Sequence, residues 1–135
     1  MANALYDTGR AAFLNGDVDW TADNIKACLV DTASYTVNLA TDDFLADIAG
    51  GAIIATSGNF ASKTSAAGVA DAADITFTAV TGASCEALVI YKDTGSGATS
   101  QLIAYIDTAT GLPVTPSGGD ITVVWDNGAN KIFKL

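Results

Sequence analysis

The chain has 135 residues, a net charge of −9 and no histidine, and a single domain of this length buries about two-thirds of its unfolded surface without help from a metal or disulfide. The missing histidine excludes Ser-His-Asp and Cys-His catalysis and most zinc and iron sites, and the acidic balance disfavours nucleic acid and anionic membranes as partners. The acids are fourteen aspartates and one glutamate; with sixteen threonines and thirteen glycines they describe short strands joined by tight turns.

In chain order, residues 2–14 carry Leu5, Tyr6, Phe13 and Leu14 at mixed spacing around Gly9, so a short helix and a strand compete there. Asn15-Gly16-Asp17 is a turn, residues 18–20 a short extended piece and residues 21–24 another turn. Residues 25–30 read as a buried strand, and 31–38 as irregular. Residues 41–48 predict a short helix: Thr41 is a suitable N-cap, Asp42 and Asp43 suit the positive end of the dipole, and Phe44, Leu45 and Ile48 share a face. Gly50-Gly51 stops it.

From there the pattern is β. Residues 52–56 form a strand with 59–64 as its expected neighbour, and 65–73 read as a small-residue linker. Residues 74–80 alternate, with Ile75, Phe77 and Ala79 expected to face inward. The apolar strand 85–91 is expected to pair with 101–106 across a Gly95-Ser96-Gly97 tip. Pro113 and Pro116 make 112–116 an extended connector. Residues 121–125 form the last long strand, 126–128 a turn and 131–135 a closing strand. Seven to nine strands with closely spaced turns predict an all-β chain folded as one antiparallel β-sandwich domain over 1–135, jelly-roll-like, with one short helix near 41–48.

Half of the residues are apolar and only 16% are charged, a low density that fits either apolar surface covered by a partner or simply a chain rich in alanine. The start has neither a basic region nor a long apolar run, so no signal peptide is expected, and no stretch has the length of a membrane span. Cys28 and Cys85 lie in apolar runs and are expected to be free, buried thiols.

Chemistry-bearing patterns fall away on inspection. Asp17, Asp19 and Asp23 open like a calcium loop, but Ala22 stands where that loop needs glycine and no glutamate follows at its twelfth position. Turn formation accounts for all three. Glu86 interrupts an apolar strand and is expected to face solvent, with Lys92 or a partner as alternatives. The glycine pairs near 95 and 118 lack Walker spacing. Trp20 and Trp125 fit core positions better than a carbohydrate platform. No catalytic group, cofactor or metal site is expected.

One resemblance spans nearly the whole chain. The opening Ala4-Leu5-Tyr6-Asp7-Thr8-Gly9-Arg10-Ala11-Ala12-Phe13-Leu14-Asn15-Gly16-Asp17-Val18-Asp19-Trp20 resembles a segment common in small bacteriophage virion structural proteins. So do Asp23 to Thr32, Tyr35 to Ala40, Asp43-Phe44-Leu45, the strands Ala87 to Asp93 and Leu102 to Asp107, and the closing Gly119 to Val123 with Trp125, Asp126 and Gly128. The resemblance implies a decoration or cement protein on the outer capsid surface, made in the bacterial host cytoplasm, with the major capsid protein and further copies of itself as partners. It also implies, as alternatives, a tail or head-fibre component; a carbohydrate-binding module is the third reading. The apolar set Leu5, Tyr6, Phe13 and Leu14, within a contact segment 1–14, is the first choice for partner binding. Ile132 and Phe133, with Leu135, are the second.

Overall fold

A computed structural model describes residues 3–135 of the chain. Its strands are β1 (Ala4–Leu5), β2 (Ile25–Val30), β3 (Ile53–Thr56), β4 (Val69–Ala70), β5 (Ile75–Phe77), β6 (Ala87–Lys92), β7 (Leu102–Ile106), β8 (Ile121–Val123) and β9 (Phe133–Lys134), with one α-helix, α1 (Asp7–Asn15). Five strands form a sheet in the order β1-β7-β6-β2-β3, and two ribbons pair β4 with β9 and β5 with β8. Every pairing is antiparallel. The chain is thus mostly β with one short helix. Among the described residues no helix is long and apolar enough to cross a membrane.

The central strands explain their own sequences. In β2, Ile-Lys-Ala-Cys-Leu-Val, every side chain except Lys26 is buried, and in β6 all but Lys92. Strands with buried side chains on alternate faces all along their centre require cover on both faces. One face packs Ile25, Ala27, Leu29, Leu88 and Ile90 against α1 and the two ribbons. The other packs Cys28, Val30, Val89 and Tyr91 against Tyr6, Tyr35, Ile48 and Ala52, from the start of α1 and from residues 31–52. Fully burying a side chain of this size contributes about 1.5–3 kcal/mol, so the sheet centre dominates stability.

The competition at residues 2–14 resolves into both outcomes: a two-residue strand and then a helix. Gly9, which weakens the helical reading, sits where α1 crosses β7, and a Cβ there would lie 2.6 Å from the Leu102 carbonyl oxygen. Gly16 ends the helix in the left-handed region at φ 78°, its N–H donated to the carbonyls of Ala12 and Phe13. Met1 and Ala2, the first residues of the expected contact segment, lie outside the described residues.

Four expectations are corrected. The helix at 41–48 is a single 3-10 turn, Leu45–Asp47. Sheet-like pairing wins there: Leu102 donates to the Asp43 carbonyl, Leu45 to that of Ser100, and Phe44 bridges Gln101. The aspartates serve this bend, Asp47 accepting the backbone N–H groups of Asp43 and Phe44 at 2.7 and 3.0 Å. Residues 59–64 form no strand beside β3; Phe60 donates instead to the Ile25 carbonyl, and Thr64 bridges Asp71. The linker 65–73 holds β4, which pairs with the closing strand. Ala79 is exposed rather than inward, because its φ of 48° breaks the alternation and Val80 takes the buried place.

Cys28 and Cys85 are free and buried, one on each side of the sheet. Burial pushes the Cys28 thiol up to about 12 and the Cys85 thiol up to about 11. A thiol reagent is expected to find both groups in denaturant and to modify neither at a comparable rate in native buffer. Fast native labelling of either would contradict this packing.

Candidate functional site

The residues expected to meet a partner divide on burial. Leu5 and Tyr6 lie in the core, Tyr6 with no exposed surface, so neither is available at the surface. The reason is local: β1 hydrogen-bonds to β7, and the next residue, Tyr6, donates its N–H to the Ile103 carbonyl and places its ring under the sheet. Leu14 is 88% exposed. Phe13 and Phe133, distant in sequence, come together with ring centres 5.9 Å apart, and Trp20 stands edge-on to Phe133 at 5.3 Å.

These three rings border a surface groove of about 320 Å3 that Val18, Ala70 and Leu135 complete. Helix α1 brings Phe13, the turn after it brings Val18 and Trp20, and the β4–β9 ribbon brings the rest. Asp19 and Ser65 are its polar members. Leu135 is 58% exposed at the rim, and Leu14 follows Phe13 on the helix. Ile132 is half-buried and lines a separate, larger cavity. Sequence reasoning named Phe13 and Phe133 but missed Val18 and Trp20 as their companions. The signal available was the Val18-Asp19-Trp20 alternation, which places both apolar residues on one side.

Trp20 and Trp125 are 5% and 7% exposed, and their indole N–H groups donate to the carbonyls of Asp71 and Ala73. Neither ring forms an open platform. The Asp17–Asp23 turn is held by its own backbone: Asp19 accepts from the Thr21 hydroxyl and from the N–H groups of Thr21 and Ala22. These bonds, the Thr21 hydroxyl foremost, hold the Asp19 carboxyl below the usual range. Lysines occupy the surroundings. The Lys92 ammonium pairs with Asp23 at 3.1 Å and donates to the Asp17 carbonyl at 2.7 Å, and Lys63 donates to the Asp23 carbonyl. Among the described residues no three ligating side chains converge. Glu86, expected in solvent, instead accepts from the Thr32 N–H and hydroxyl at 3.1 and 2.9 Å.

Beneath the opposite face runs a chain of phenols. The Tyr35 hydroxyl donates its one proton to Asp42 at 2.7 Å, so the Tyr6 hydroxyl, 2.9 Å away, must donate to Tyr35. Asp42 also accepts the Asn38 N–H at 2.8 Å, and the Thr8 hydroxyl donates to the Asp42 carbonyl. The result ties the start of α1 to the segment that covers the sheet. Burial pushes the phenols of Tyr6 and Tyr35 well above the ordinary value of 10.0, and that of Tyr91 up to about 12. These groups are therefore neutral donors, as the thiols are, and not bases.

Their folded values lie above the unfolded ones, so the stability they contribute is complete below the unfolded values and is lost as pH rises through the folded ones. Denaturation midpoints are expected to stay level up to about pH 9 and fall toward pH 12 as the buried thiols and phenols ionise. A midpoint unchanged at pH 11 would contradict the network. The depressed carboxyls of Asp19, Asp47 and Asp93 act at the other end: their contribution is present above about pH 4 and lost below it.

No protein-family model matches the chain, and no curated protein matches it significantly.

Proposed function

We propose that this protein is a bacteriophage virion structural protein that decorates the outer surface of the capsid, binding the major capsid protein in several copies and stabilising the shell without catalysing a reaction. The observation that carries the reading is the aromatic groove of Phe13, Trp20 and Phe133, with Leu135 exposed at its rim and Leu14, the residue after Phe13 on α1, exposed as well. Aromatic-lined depressions with apolar rims are what protein partners fill. The resemblance of the chain to small phage virion proteins supplies the kind of partner. The net charge of −9 supports an exterior place, since packaged DNA would repel it. The buried, neutral thiols and phenols support a role through surfaces. In the same reading the two ribbons facing the central sheet make up the second layer of a jelly-roll-like β-sandwich.

The test uses exposed positions, so that folding is not the variable. Leu14→Asp with Leu135→Asp is expected to leave the melting temperature within about 2 °C and to lower loading onto capsids at least tenfold, as surface changes away from core and caps cost little stability. Full loading by the double variant would remove the groove from the reading.

A further inference from the structure

The larger cavity, about 600 Å3, has a shape that the aromatic groove lacks. Two unbroken runs of residues line it, 108–112 and 121–126, together with Leu29, Leu88 and Ile106 of the sheet. Strand β8 pairs with β5 along one edge and, among the described residues, with no strand along the other. The cavity touches every residue of β8 and none of β5, so it runs along that second edge rather than under one face of the ribbon. Ile121 and Val123 pack toward the core while Thr122 is exposed, so a cavity lined by all three and by nothing of β5 fits the free edge of the strand.

We infer that this slot receives an extended apolar segment of another protein, which adds as a strand to the free edge of β8 and places alternate side chains on Leu29, Leu88 and Ile106. An unpaired strand edge offers backbone donors and acceptors that an aliphatic small molecule cannot use and an extended peptide can. The volume lies within the range of built binding sites. A second copy of this chain is the poorer donor, because its apolar end segments Ala4–Leu5 and Phe133–Lys134 are already paired with β7 and β4. The slot carries one cation, Lys131, and one anion, Asp126, while the molecule as a whole stands at −9. The segment that fits is therefore apolar at its centre and basic at its flanks. That the donor is the capsid protein rests on the proposed function; that the slot takes a strand does not.

The probe is a synthetic peptide of alternating valine and threonine with lysines at both ends. Titrated into the full chain, it is expected to slow amide hydrogen exchange at residues 121–124 at least tenfold and to shift the fluorescence of Trp125, which lines the slot. Leu112→Asp, in the 108–112 run, is expected to weaken the peptide at least tenfold with its own melting curve intact, whereas Leu14→Asp, outside the slot, leaves it unchanged. Exchange at 121–124 that ignores the peptide would overturn the inference, and so would binding that Leu112→Asp does not weaken. Capsid loading with 121–124 unprotected would remove the capsid protein as the donor. Peptide binding by a protein that never loads capsids would keep the slot and sink the capsid reading.

Discussion

Deleting residues 2–14 is expected to abolish the cooperative unfolding transition, not to yield a folded core that has merely lost a contact arm. The segment contributes a fully buried tyrosine, a buried leucine and Ala12, and it closes one edge of the five-stranded sheet. Truncating a buried aromatic costs about 3–5 kcal/mol and a buried leucine about 2–5 kcal/mol. Together these approach the whole stability of about 5–15 kcal/mol that a domain possesses. The phenol chain fails with them, leaving Tyr35 without the Tyr6 donor. Circular dichroism of the truncated chain through a thermal scan decides the matter. A sharp transition near that of the full chain would mean that the segment is an appendage after all.

Gly9→Ala should be the most damaging single methyl in the molecule. In an exposed helix the change gains about 1 kcal/mol. Here the new Cβ meets the Leu102 carbonyl oxygen at 2.6 Å and Ile103 backbone atoms at 3.1 Å. Backbone cannot swing aside as a side chain can, and forcing atoms into a packed site costs about 1–3 kcal/mol or more. A net loss of about 2 kcal/mol lowers the melting temperature by roughly 6–10 °C in a domain of this size. Gly58→Ala, where nothing lies within 4 Å of the added carbon, is the control and should change little. Equal melting temperatures for the two variants would contradict the close crossing of α1 over β7.

The same glycine shows why part of the fold was legible and part was not. Strands β2, β6 and β7 could be read because each is an apolar run too short for a helix, and the Gly95-Ser96-Gly97 tip announced the pairing of β6 with β7, though not that of β2 with β6. The helix at Asp7–Asn15 was obscured because Gly9 argues against helix locally, and its reason, the β7 backbone, lies some ninety residues away. The 41–48 segment misled in the opposite sense. Its aspartates look like helix-start residues, yet Asp42 accepts from Asn38 and Tyr35, and Asp47 holds a bend that pairs with residues 100–102. Local propensity is a weak prior, overridden by close packing at Gly9 and by tertiary hydrogen bonds at residues 43–45. For the groove, Phe13 and Phe133 were visible as apolar residues, but their meeting is a product of topology: β9 pairs with β4, which no turn signal announces. Exposure was legible only in part, since Leu5, Tyr6 and Leu14 look equally apolar in sequence and end at opposite extremes of burial.

The proposed role of the molecule is to cover the outside of a capsid. Electron cryomicroscopy of virions that contain it tests this directly, with the chain fitted into the map. The account predicts density on the outer shell in a fixed ratio to the major capsid protein, with the face bearing Phe13, Phe133 and Leu135 turned toward the shell. A single ring of density on the tail, or density beneath the shell against the DNA, would contradict it.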